Sequence, residues 1–86
     1  MRIGVQFTAT LQANSSGRWF SHSWPQDWNV VWNFVSTSPG GQGEGPQVEW
    51  DVEVERTSDT LITYWLTVRN LVARPINFEA RYVILN

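Results

Sequence analysis

The segment Gln47–Glu55 alternates without a break. Val48, Trp50, Val52 and Val54 interleave with Glu49, Asp51, Glu53 and Glu55. An extended strand sends successive side chains to opposite sides, so this period puts apolar groups on one face and carboxylates on the other. A helix would smear both classes around its circumference. Most of the chain repeats the same period, and no stretch sustains helical spacing.

The first strand predicted this way carries Ile3, Val5, Phe7, Ala9, Leu11 and Ala13 on one face. Asn14–Gly17 breaks it with turn residues. A second strand over Arg18–Trp24 places Trp19 and Phe20 on opposite faces and leaves its inner side undecided. Pro25-Gln26-Asp27 turns the chain, because proline presets φ and lacks a donor for a central ladder. The third strand follows from Trp28, with Trp28, Val30, Trp32 and Phe34 inward. Ser36–Pro46 has no apolar residue and reads as a mobile surface loop.

Leu61–Asn70 alternates Ile62, Tyr64, Leu66 and Val68 with Thr63, Trp65, Thr67 and Arg69. Joined to Gln47–Glu55 by a five-residue loop, Arg56–Thr60, it sets Val54 opposite Ile62 and Trp50 opposite Leu66. A one-residue slip would set glutamates against apolar side chains. The last strand puts Ile76, Phe78, Ala80, Tyr82 and Ile84 inward, with Asn77, Glu79 and Arg81 outward. Six short antiparallel strands imply an all-β, single-domain β-sandwich spanning 1–86, with a partly open barrel as the alternative. The strand Thr63–Asn70 resembles those of immunoglobulin-like sandwiches, a likeness confined to that strand.

Composition narrows the chemistry. A chain of 86 residues hides only about 60 % of its unfolded surface, and six tryptophans, four phenylalanines and two tyrosines supply the burial that leucines usually give. There is no cysteine, hence no disulfide or thiolate metal site, which favours a reducing compartment or a module of a larger protein. The net charge is −2 and the six basic residues, all arginine, are scattered, which argues against nucleic acid. No apolar run reaches the roughly 20 residues that cross a bilayer, and the alternating N-terminus does not read as a signal peptide, so the cytoplasm is the expected location. Asn14-Ser15-Ser16 matches a glycosylation sequon but reads first as a turn.

The acidic row of Glu49, Asp51, Glu53 and Glu55 reads first as a solvated face with ion pairs, with Arg81 brought alongside by a further strand. An arginine-rich partner ranks second. Metal ranks last, because carboxylates along a straight strand diverge. Trp65 is forced outward by Tyr64 and Leu66, which makes it an interface anchor, a platform for a sugar ring, or a ring packed under arginine. Trp24, with Arg18, Phe20, His22 and Asp27, is expected to line a pocket at the end of the sandwich. His22 is the only histidine, and Ser21, Ser23 and Asp27 beside it lack the convergence of a hydrolytic triad. The sequence therefore points to a non-catalytic module without cofactor or metal. It binds a protein partner or itself through the outer face of the Gln47–Asn70 hairpin, with glycan binding as the alternative. Its candidate contact residues are Trp65, Thr63, Thr67, Arg69, Glu49, Asp51, Glu53, Trp24 and His22.

Overall fold

A computed structural model describes residues 1–86. Six strands follow in order: β1 Arg2–Leu11, β2 Ser16–Pro25, β3 Val30–Ser36, β4 Val48–Arg56, β5 Leu61–Asn70 and β6 Ile76–Ile84. They form two three-stranded antiparallel sheets, β1-β6-β3 and β2-β5-β4, with no helix and no closed barrel. The all-β sandwich expected from the alternation is what the chain adopts. Only β4 and β5 join as a hairpin within one sheet, while every other connection crosses between the layers.

The core is aromatic between aliphatic strips. Leu66, Val68, Ile76 and Phe78 are fully buried, and Phe34, Trp24 and Trp32 join them. Trp24 packs edge-on against Trp32 and Tyr82, at centroid distances of 5.7 and 5.3 Å. Phe7, Trp19 and Phe78 form a second group, 5.4 to 6.0 Å apart. Edge-to-face geometry places the positive rim of one ring against the negative face of its neighbour, which adds about 0.5–1.5 kcal/mol per pair beyond area burial. Asn70, also buried, closes one end of the core. Its amide donates to the carbonyls of Leu11, Gln12 and Arg74, and its carbonyl accepts from Val72 N at 2.9 Å.

Two β-bulges overturn parts of the sequence reading. In β1 the register shifts between Val5 and Phe7, so Gln6 is the additional residue. Phe7, Ala9 and Leu11 face inward as expected, but Ile3 and Val5, expected in the core, lie outside with 70 % and 51 % exposure. Gly4 takes the inward position instead. A Cβ there would stand 2.5 Å from the Tyr82 hydroxyl, so any larger residue would have to push that ring aside. Ala13 lies beyond the strand and is exposed.

In β2 the register shifts between Ser21 and Trp24, around His22 and Ser23, and Ser23 has φ 68°. That left-handed residue swallows one step of alternation, which lets Trp19, Ser21 and Trp24 all point inward. The inner side of this strand could not be fixed from sequence because Trp19 and Trp24 are an odd number of positions apart. Trp24, expected at a half-exposed pocket, is 8 % exposed and belongs to the core.

The β4–β5 hairpin keeps the expected faces but not the expected register. Val54 pairs with Tyr64, Val52 with Leu66 and Trp50 with Val68, a two-residue offset from the sequence reading, with a turn of Thr57–Thr60. A two-residue shift keeps both faces, so period-two patterning cannot separate the registers, although the observed one sets Val48 opposite Asn70 and Ile62 opposite Arg56. Arg81, expected beside the acids of β4, sits on the other sheet and pairs with Glu79 at 2.9 Å. The segment before β4 is braced rather than loose. Arg74 donates to both Glu44 oxygens at 2.9 Å and to the Pro39 carbonyl, while Gly43 and Gly45 supply the positive φ its turns need.

Candidate functional site

The outer face of β2-β5-β4 holds most of the residues singled out by sequence. Antiparallel pairing lays them in cross-strand rows. Ser16, Arg69 and Glu49 form the first, Arg18, Thr67 and Asp51 the second, and Phe20, Trp65 and Glu53 the third. Glu55 and Thr63 lie beyond. Diagonal contacts lace the rows together. Within its row Arg69 Nε donates to Glu49 at 2.6 Å; diagonally its Nη2 donates to Asp51 at 2.5 Å and Arg18 reaches Glu53 at 2.8 Å. Asp51 first, then Glu49, hold the Arg69 guanidinium above its ordinary range. The ion pairs expected for this face are present, but Arg18 of β2 supplies what had been assigned to Arg81.

Trp65 is the centre of the arrangement. Its ring lies beside Phe20 at a centroid distance of 5.3 Å, and the Arg18 guanidinium sits over it at 4.7 Å. The indole N–H donates to Glu55 Oε1 at 2.7 Å. Every edge and face that β2 and β4 can reach is therefore engaged, and Trp65 is only partly exposed. The exposed aromatic is Phe20 at 58 %, with His22 beyond it at 5.9 Å.

A cleft of about 350 Å³ opens beside this pair, toward the bulge of β2 and the β4–β5 turn. Phe20, Trp65 and Leu61 give it apolar walls, and Glu55, His22 and Thr57 give it polar ones. Its walls are cross-braced. Thr57 and Thr63 share a hydroxyl hydrogen bond of 2.6 Å, and His22 Nδ1 lies 2.8 Å from Ser23 Oγ. Side chains of neighbouring residues on a regular strand point apart. The left-handed Ser23 is what brings these two together. The imidazole donates to no carboxylate, so the pair lacks the third member that orients a catalytic histidine.

Of the candidates from sequence, Trp65, Thr67, Arg69, Glu49, Asp51, Glu53 and His22 share this face. Thr63 is on it but buried at 4 %, bonded to Thr57. Trp24 is in the core and cannot touch a ligand at the surface. The four carboxylates run in a row and are bonded to Arg69, Arg18 and Trp65, and no group of three or more His, Asp or Glu converges to hold a cation. The sequence reading names Glu55 in the acidic row but not at the cleft, and it gives no place there to Thr57 or Ser23. Thr57 and Ser23 join the cleft through the turn and the bulge, the latter traced in sequence only by the odd spacing of Trp19 and Trp24, while Glu55 reaches Trp65 through the hairpin register.

Comparison with protein families, with curated proteins and with solved structures finds no match.

Proposed function

We propose that this protein is a non-catalytic binding module whose contact site is the Phe20–Trp65 cleft on the outer face of β2-β5-β4, and that the ligand is a saccharide. The observation that carries the reading is the exposed Phe20 ring set between the braced Trp65 indole and the His22 imidazole, with the Glu55 carboxylate and the Thr57 hydroxyl at the rim. A pyranose has an apolar face of C–H bonds and a polar edge of hydroxyls, and this cleft offers an aromatic face beside acceptors and donors. Its volume is at the small end of the range for ligand sites, about 300–1,000 Å³, which suits one or two sugar rings. A glycan array probed with the wild-type chain and with Phe20→Ala tests it. Binding that disappears in the variant, with stability changed by about 1 kcal/mol or less, supports the site. A blank array removes the saccharide reading.

Self-association is the second reading, and a specific observation favours it on the opposite sheet. Across β1-β6-β3 the outward row Ile3, Val83 and Val31 is apolar, with Val5 in the next row. Ile3, Val5 and Val31 are exposed. The hairpin face first expected to carry this contact is occupied by its own ion pairs. Sedimentation velocity over a range of concentrations, repeated with Val31→Glu, tests it. A monomer throughout removes it.

A further inference from the structure

Strand β4 is the edge of its sheet, paired to β5 on one side only. Its nine residues run without a bulge, whereas the edge strands β1 and β2 are interrupted at Gln6 and at His22–Ser23 and β3 has seven residues. No loop or side chain of the protein bonds the outward backbone groups of Val48–Arg56. A bare, regular edge of this kind is a template for another strand.

The core is also incomplete along this edge. Trp50 stacks on Phe34 at 5.4 Å, but beyond it β3 and β4 barely meet, and Val52 and Val54 are 38 % and 65 % exposed although they point to the core side. On the outward side Glu49, Asp51, Glu53 and Glu55 meet only two guanidiniums, those of Arg18 and Arg69, so negative charge is in excess by two. A second copy pairing edge to edge would set this acidic row against its own image, and like charges directly opposite destabilise a ladder.

We propose that the β4 edge receives an extended peptide segment by strand addition, and that the segment alternates basic residues with branched aliphatic ones. Its backbone completes the ladder of β4. Its basic side chains stand beside the row from Glu49 to Glu55, and its aliphatic side chains cover Val52 and Val54. This surface meets the Phe20–Trp65 cleft only at Glu55, which stands both in the acidic row and at the cleft's rim, and the two readings are distinguished by which amides shift.

The test uses the full chain and a blocked synthetic peptide alternating arginine and valine, followed by amide NMR shifts and hydrogen exchange. The expected result is saturable binding in which the amides of β4 shift and gain protection. Affinity should fall about tenfold or more for a glutamate–valine peptide, for an N-methylated arginine–valine peptide that cannot bond the edge, and for Val54→Arg. Because Val54 is exposed, that variant keeps its fold, checked by an unchanged spectrum away from β4. Four outcomes overturn the proposal. They are equal binding of the N-methylated peptide, equal binding of the glutamate peptide, shifts confined to the cleft or to β1-β6-β3, and concentration-dependent protection of β4 without any peptide, which would mean self-pairing.

Discussion

The Trp24 indole N–H donates to the Ser21 hydroxyl at 2.9 Å, both residues buried and three positions apart on one strand. On a regular strand an odd separation puts two side chains on opposite faces, so this bond exists only because the bulge at His22–Ser23 lies between them. Ser21→Ala leaves a buried indole N–H without an acceptor. The expected loss is about 1–3 kcal/mol in urea denaturation, with the fold unchanged.

Trp32 provides the contrast. It is buried beside Trp24, but its indole N–H has no partner. Replacing it with phenylalanine removes ring volume and also a donor that was already costing stability. Trp32→Phe should therefore destabilise less than Trp24→Phe, by about 1–2 kcal/mol, since the latter also orphans Ser21. Paired chemical denaturation curves decide between them, and equal losses would contradict the account.

Asn70 ties β1, β5 and the turn before β6 together, its two amide N–H groups shared among the carbonyls of Leu11, Gln12 and Arg74. Asn70→Asp keeps the shape and replaces the donor with a carboxylate facing three carbonyl oxygens. A loss of about 3 kcal/mol or more at neutral pH is expected. Part of it should return on acidification, because the protonated acid can donate again. Thermal melts from pH 7 to pH 4 would show the trend.

Glu44 contributes a pH dependence to the stability of the wild-type chain. Bonds from Arg74, then from Gly41 N and Gln47, lower its carboxyl from 4.5 to about 2. A carboxyl depressed on folding stabilises the native state above its unfolded value. That contribution fades between pH 4.5 and about 2 and is gone below. Glu44→Gln should thus be less stable than wild type at pH 6 and indistinguishable from it near pH 1.5, with the Glu44 carboxyl resonance titrating near 2 in the native protein.

Much of this was readable in advance, and the misses share a cause. Alternation located all six strands, the inward faces of β3, β5 and β6, and the outward Trp65. It failed wherever a count of one or two residues mattered. A bulge inserts a single residue, so Ile3 and Val5 look identical in sequence to Phe7 and Ala9 yet lie on the other side. The hairpin slipped by two, a shift that keeps both faces and loses apolar matches only at its ends, where Val48 meets Asn70 and Ile62 meets Arg56. The cleft depends on both the bulge at Ser23 and the turn at Thr57, so alternation alone names His22, Trp65 and Glu55 without bringing them to one cleft and leaves Trp24 half exposed at a turn. The partner of the β4 acids was misassigned for a topological reason: strand order decides whether Arg18 or Arg81 lies near, and no pattern within a strand encodes it.

The aromatic core has an optical consequence. Trp24 holds the rings of Trp28, Trp32, Tyr64 and Tyr82 within 6.1 Å, in fixed orientations. Chromophores so close share their excited states, so their ultraviolet absorption carries paired circular-dichroism bands of opposite sign that overlie the weak signal of a sheet. Loss of those bands on denaturation reports the separation of the rings themselves, which gives this fold a built-in gauge of tertiary order distinct from any measure of backbone content.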